Sequence, residues 1–237
     1  MAKNINSEKV PGTIILAGGL GTRLRSVDSE RPKPMVEVLG RPFLYWLLST
    51  LQRAKFNKFI LSIGYKSKII ESYPWTDLFP KAEIECIVEQ ELLGTGGAVK
   101  NVFEVKKDLE CAWVINGDTI LQNPLENYRP PHWSVLYAAL QPEQVFDAKP
   151  NLITKGGCIT GIKDGAGNYF DGGQVFVTRQ AVENFSGETP CSFHQLVKKS
   201  FEDKRVGFTR VPGTCYDIGT PERLKRFEKY LEENKDP

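Results

Sequence analysis

Residues 16–24 read Leu-Ala-Gly-Gly-Leu-Gly-Thr-Arg-Leu, and residues 31–35 read Arg-Pro-Lys-Pro-Met. Gly18, Gly19 and Gly21 follow an apolar run directly. Such glycines let the backbone approach a ligand and aim N–H groups at phosphate oxygens. Arg23 adds a permanently charged, planar fork suited to a triphosphate. Lys33 adds a point charge, and Pro32 and Pro34 fix the backbone that presents it. The spacing is neither that of a Walker A loop, GxxxxGK[ST], nor that of a dinucleotide GxGxxG. A glycine pair alone signals only a turn. Arg23 and the Pro-Lys-Pro element together turn that reading toward polyphosphate.

Two aspartates offer a second kind of chemistry. Asp118 follows the apolar run Cys111–Ile115, and Asp217 sits 99 positions later in a Tyr-Asp-Ile-Gly turn. Carboxylates brought together by a fold make a hard oxygen site, suited to Mg²⁺ that keeps waters and bridges phosphates. Each has a plainer reading. Asn116-Gly117 is a turn signal, and Asp217 precedes a helix start at Thr220-Pro221.

These residues need elements to hold them. Thr13–Ala17 and Cys111–Ile115 are short apolar runs that read as buried strands, and Lys58–Ile63 and Ile84–Val88 read as further strands. Between them, Pro42–Ala54 (with Pro42 at the first helical position), Lys66–Tyr73 and a segment opening at Thr95–Phe103 read as helices. Such alternation predicts a mostly parallel sheet with helices on both faces. After Asn123 the strands Trp133–Leu140, Cys158–Lys163, Gln174–Thr178 and Val206–Val211 are separated mainly by Gly- and Pro-rich turns, a mixed, β-rich extension. Ser192–Glu202 and Pro221–Asn234 are amphipathic helical patterns. Residues 1–10 read as a disordered lead-in and 11–237 as one domain, with halves at about 11–125 and 126–237.

At this point the chain resembles the sugar-1-phosphate nucleotidylyltransferases. The resemblance rests on 16–24 and 31–35, then Leu93-Gly-Thr-Gly-Gly-Ala98, Asn116-Gly-Asp118 and Asp217-Ile-Gly-Thr-Pro-Glu222, which occur in family order over nearly the whole chain. It implies a Rossmann-like α/β three-layer sandwich with a small sugar-binding extension, and an enzyme joining a nucleoside triphosphate to a sugar 1-phosphate with release of pyrophosphate. By the same resemblance Arg23 and Lys33 are catalytic. Leu16, Ala17, Gly18, Gly19, Gly21, Thr22, Glu89, Gly94 and Thr95 bind nucleotide, and Asp118 and Asp217 hold Mg²⁺.

The resemblance also places Glu89 against the base edge. Many relatives carry Gln there, which both donates and accepts, whereas an ionised Glu only accepts. Guanine presents two adjacent donors, a match for a carboxylate, while uracil and thymine set one donor between two acceptors. This favours guanine over uracil and thymine, and the plainer reading of Glu89 is a solvated loop carboxylate. For the sugar phosphate, Asn116, Gly117, Lys163, Asp171, Gly172 and Gly173 are the candidates. No Glu precedes Lys163, and Asp171 stands where the family commonly has Asn. Chain length, Glu89 and the Gly-Thr-Gly-Gly-Ala run together look most like the branch acting on D-glycero-α-D-manno-heptose 1-phosphate. Mannose-1-phosphate guanylyltransferases and short uridylyl- or thymidylyltransferases are the near alternatives. A metal-dependent glycosyltransferase and a non-catalytic nucleotide-sugar sensor are the competing classes.

Composition sets the outer bounds. The 237 residues carry a formal charge of +2, giving no reason to expect nucleic acid or an anionic membrane as partner. The shortest gap among the five cysteines is 24 positions, and only two histidines occur, which excludes a zinc ribbon or dense disulfide framework and suits a reducing cytoplasm. No apolar run approaches membrane-spanning length. Self-association into a homo-oligomer is left open.

Overall fold

The computed structural model describes residues 11–21 and 30–234. The lead-in 1–10 lies outside them, as do Thr22 and Arg23. The strands of the first half are β1 (Gly12–Leu16), β2 (Glu37–Val38), β3 (Arg41–Pro42), β4 (Lys58–Ile63), β5 (Glu83–Val88), β6 (Cys111–Asn116) and β7 (Thr119–Leu121), and its helices are α1 (Phe43–Arg53), α2 (Ser67–Glu71), α3 (Trp75–Leu78) and α4 (Gly94–Val105). The second half adds β8 (Val135–Leu140), β9 (Leu152–Lys155), β10 (Cys158–Ile162), β11 (Phe170–Thr178), β12 (Val206–Arg210) and β13 (Cys215–Asp217), with helices α5 (Arg179–Glu183), α6 (Phe193–Leu196), α7 (Lys198–Glu202) and α8 (Pro221–Glu233).

Nine strands form one mixed sheet in the order β5-β4-β1-β6-β11-β8-β12-β10-β9. The first four are parallel, and β11 joins them antiparallel along β6. Side-chain alternation explains the layers. On β1, Ile15 packs with Phe43, Leu44 and Leu47 of α1 on one face, whereas Ile14 packs with Val99, Val102 and Phe103 of α4 on the other. Each such fully buried aliphatic or aromatic side chain contributes roughly 1.5–3 kcal/mol, so both faces must be covered. The α/β expectation with helices on both faces holds.

β4 follows β1 on one side while β6 lies on its other side, with Leu16 paired to Asn116 at the carboxyl ends. That is a topological switch point, where the loops diverge and open α/β sheets take ligands. The short ribbon β7–β13 stands beside it, Thr119 opposite Asp217.

Three expectations are corrected. Pro42 precedes α1 as its cap and ends β3, because its extended backbone (ψ 147) cannot begin the helix. The pattern 192–202 is two short helices, since Val197 leaves helical geometry (φ −100, ψ 14) to bury its side chain completely beside Leu196. Asp217 ends a strand rather than occupying an open turn.

Candidate active site

The switch point opens into a cleft of about 570 Å³. Leu16, Ala17, Gly18, Gly19 and Gly21 form its floor, Glu89, Gly94 and Thr95 one wall, and Lys33, Asn116 and Asp118 the other. All eleven were singled out in the sequence. Leu20, Pro34 and Ala98, which belong to the quoted motifs, line it too, as does Leu92. Leu92 was missed, because a half-exposed leucine in a polar loop has no periodicity to mark it.

Glu89 leaves the end of β5, its N–H donating to the Ile63 carbonyl at 2.7 Å. Its Oε1 accepts from the Ser62 hydroxyl at 2.9 Å, and its carboxylate also takes the backbone N–H of Leu93. Gly18 makes room for this group, since a β-carbon there would stand 2.7 Å from Oε1. Burial raises the Glu89 pKa, and the two hydrogen bonds work against that rise. Ser62 is fully buried and was not anticipated; a serine inside an apolar strand looks like any other core polar residue.

The Gly-Thr-Gly-Gly run opens α4, and its glycines pack closely on the 189–193 loop. A β-carbon on Gly94 would lie 2.5 Å from the Cys191 carbonyl, and one on Gly96 would lie 2.4 Å from the Ser192 carbonyl. The Cys191 carbonyl accepts the N–H groups of Gly96 (2.9 Å) and Gly97 (3.4 Å), and Thr95 Oγ1 accepts the N–H of Phe193 at 2.9 Å. The 189–193 loop thus satisfies donors that a helix start otherwise leaves open.

On the opposite wall Lys33 Nζ donates to Asp118 Oδ2 in a partly buried ion pair. A β-carbon on Gly21, whose φ is +57, would stand 2.8 Å from that of Lys33, so glycine lets the two loops meet. Asp217 is brought alongside by the β7–β13 ribbon, with Ile218 N–H donating to the Asp118 carbonyl at 3.2 Å. Both Asp217 oxygens are held by Arg223 Nη1, at 3.0 and 2.9 Å, and Oδ1 also accepts the Gly219 N–H at 2.8 Å. Arg223 Nη2 reaches the Asp147 carbonyl at 2.7 Å. Each carboxylate therefore carries one cation of the chain. Arg223 was missed; as the second residue after Pro221 it reads as an ordinary surface position.

Asn116 closes the cleft beside the bulge Gly172–Gly173, where a β-carbon on Gly173 would stand 3.0 Å from Asn116 Nδ2. Gly117 sits behind, its N–H donating to the Leu16 carbonyl at 3.0 Å. Asp171 faces inward to its own bulge, Oδ1 accepting the Gly173 N–H at 2.8 Å, and burial pushes its pKa up to about 6. Desolvation pushes the half-buried Cys215 thiol up to about 12, with the charges of Asp217, Asp171 and Asp118 adding to the rise and Arg223 opposing it. Lys163 stands apart, in an exposed turn after β10 outside the cleft lining. Among the described residues no three His, Cys, Asp or Glu side chains converge as a metal cage.

The cleft at the switch point is walled by a Gly-rich loop, Lys33 and Asp118, with Asp217 outside its lining. The nucleotidyl transferase family profile matches residues 12–132. The chain belongs to the nucleotidyl transferase family. This transferase is 36% identical over 228 residues to the D-glycero-α-D-manno-heptose 1-phosphate guanylyltransferase of Aneurinibacillus thermoaerophilus, covering 92% of this chain and 97% of that protein. It is 28% identical over 218 residues to the enzyme of the same name from Campylobacter jejuni, covering 90% and 97%. The crystal structure of HddC from Yersinia pseudotuberculosis complexed with GMP-PN superposes with a TM-score of 0.71 at 28% identity, over 93% of this chain and 99% of that one. The Rossmann-like fold and the nucleotidyltransferase activity expected from the sequence are thereby established. No helix among the described residues is long and apolar enough to cross a membrane.

Proposed function

We propose that this transferase condenses GTP with D-glycero-α-D-manno-heptose 1-phosphate to give the GDP-sugar and pyrophosphate. The near full-length identity of 36% to a guanylyltransferase of that substrate carries the reading. The placement of Glu89 in the cleft wall supports the guanine part of it. A phosphate oxygen of the sugar 1-phosphate attacks the α-phosphorus in line, the bond to the bridging oxygen breaks, and pyrophosphate departs. Such transfer needs positioning and charge neutralisation more than a covalent intermediate.

In this reading the floor Leu16–Gly21 carries the nucleoside and aims backbone N–H groups at phosphate. Lys33 stabilises charge at the α-phosphate, and Arg23 holds the departing β,γ-phosphates. Asn116, Gly172 and Gly173 bound the sugar side. Asp118 and Asp217 fit a divalent metal, specifically Mg²⁺: they are hard oxygen donors, Asp118 in the turn that leads into β7 and Asp217 on β13 opposite Thr119, and the short ligand set matches an ion that keeps waters and shares phosphate oxygens. When bound, Mg²⁺ supplies neutralising charge to the phosphates.

The test is pyrophosphate release from four nucleoside triphosphates against several sugar 1-phosphates. GTP with the heptose 1-phosphate is expected to lead. Preference for UTP or dTTP overturns the guanine reading, and preference for mannose 1-phosphate overturns the sugar. Arg23→Ala should lower turnover by orders of magnitude with the fold intact, and turnover unchanged in that variant removes Arg23 from the mechanism.

A further inference from the structure

We infer that Ser62 is a positioning residue for base selection: its hydroxyl fixes the rotamer of Glu89, so that the carboxylate meets the base with a set orientation. The inference rests on the proposed reading of guanine by Glu89 and adds a residue behind it.

Four observations converge on this pair. Ser62 sits near the carboxyl end of β4, fully buried, 27 positions before Glu89. It lies opposite Leu16, the residue that leads into the Gly-rich loop. Its hydroxyl spends its one proton on Glu89 Oε1 at 2.9 Å. Leu93 N–H holds the same carboxylate, while Gly18 leaves no β-carbon to push it away. A glutamate has three rotatable bonds and ordinarily swings freely, at a cost in side-chain entropy when a ligand must order it. Here two donors order it before a ligand arrives. A carboxylate has about four acceptor positions, so two donors leave capacity for two more. Guanine offers two adjacent N–H donors on one edge, and a carboxylate held in one plane meets both, as a fork meets a fork.

This gives Ser62 a signature that a merely structural serine lacks. Loosening Glu89 should harm most the nucleotide that needs two bonds from it, and harm least the one that needs fewer. Inosine triphosphate is the probe, since it keeps N1–H and lacks the 2-amino group. The experiment measures kcat/KM for GTP, ITP and UTP in the wild type, Ser62→Ala, Ser62→Cys and Glu89→Gln. Ser62→Ala should reduce the GTP-over-ITP preference about five-fold, because the carboxylate loses one of its two fixed donors and keeps the Leu93 N–H, mainly through KM for GTP. Ser62→Cys fills the site with a weaker donor and should fall between Ala and wild type, which keeps the question answerable if the alanine variant folds poorly. Glu89→Gln should collapse the preference further. If Glu89→Gln collapses the ratio and neither Ser62 variant moves it, the positioning role is wrong and the base reading stands. An equal loss for all three nucleotides in the Ser62 variants also overturns the role, because that is what a packing defect does. An unchanged ratio in Glu89→Gln itself removes the base reading and this inference with it.

Discussion

Gly18 and Glu89 occupy each other's space: a β-carbon on Gly18 would stand 2.7 Å from Oε1 of Glu89 and 3.2 Å from the Gly64 nitrogen. The first glycine of the loop is therefore tied to a carboxylate 71 positions later in the chain, not only to the freedom of a turn.

Gly18→Ala follows directly. The new methyl must displace a carboxylate that Ser62 and Leu93 hold, or spread β1 from the β4–Gly64 turn. Overpacking of this kind costs roughly 1–3 kcal/mol. The expected result is a lower urea midpoint together with weaker GTP binding by calorimetric titration. Gly19→Ala is the matched control, since nothing lies within 4 Å of its β-carbon position, and its stability should stay within about 0.5 kcal/mol. Wild-type GTP affinity in Gly18→Ala would show that Glu89 is free to move.

Gly96→Ala sets two effects against each other. Alanine gains about 1 kcal/mol over glycine inside a helix. Against that, its β-carbon would sit 2.4 Å from the Ser192 carbonyl oxygen and 2.7 Å from the carbonyl carbon, backbone atoms that cannot rotate away. The clash wins, with a net loss of about 1–3 kcal/mol expected in denaturant unfolding. A gain in stability would mean that the 189–193 loop shifts at no cost.

The same residue shows how far the sequence was legible. Apolar, β-branched runs located β1, β4 and β6 because a parallel core strand is apolar on both faces, and alternation located β5, which lies at the sheet edge. The cleft floor was legible through motif order. What stayed hidden was pairing between distant short segments: the two- and three-residue strands β2, β3, β7 and β13 carry too few residues to show alternation. Gly94 and Thr95 were read as nucleotide-binding, and no pattern in the run foretold that Gly96 and Gly97 are small because the 189–193 loop crosses them. Lys33 was read as a charge for phosphate, and no spacing rule foretold its ion pair with Asp118. Ser62 and Arg223 act through partners that only the folded chain supplies.

Arg223 stands in for external positive charge at Asp217. Both side chains are about three-quarters buried, at 21% and 24% exposure. Removing the arginine leaves a half-desolvated carboxylate with a single N–H donor, and about 1–3 kcal/mol should be lost. Mg²⁺ can then replace the missing charge. Arg223→Ala is expected to melt several degrees below wild type in EDTA and to gain more than wild type on addition of millimolar Mg²⁺. Equal Mg²⁺ increments in the two proteins would separate Asp217 from the metal site.

Asp171 provides a pH test with a definite sign. Burial raises its folded pKa from the ordinary 3.8 to about 6, and the Gly173 N–H offsets only part of that. Between those values the native state holds a proton that the unfolded chain gives up, so stability falls as pH rises. The contribution of the protonated group is complete below about pH 4 and is lost as pH climbs through about 6. Asn at this position imitates the neutral form and keeps an oxygen to accept from Gly173 N–H, now 2.8 Å from Oδ1. Asp171→Asn should therefore match wild type near pH 4 and exceed it by about 1–2 kcal/mol at pH 7.5, the scale of a shift partly screened by solvent. Urea unfolding in EDTA at the two pH values measures the difference and keeps metal ions out of it. A stability gain that is the same at both pH values would mean that the ionised carboxylate is not what costs the fold at Asp171.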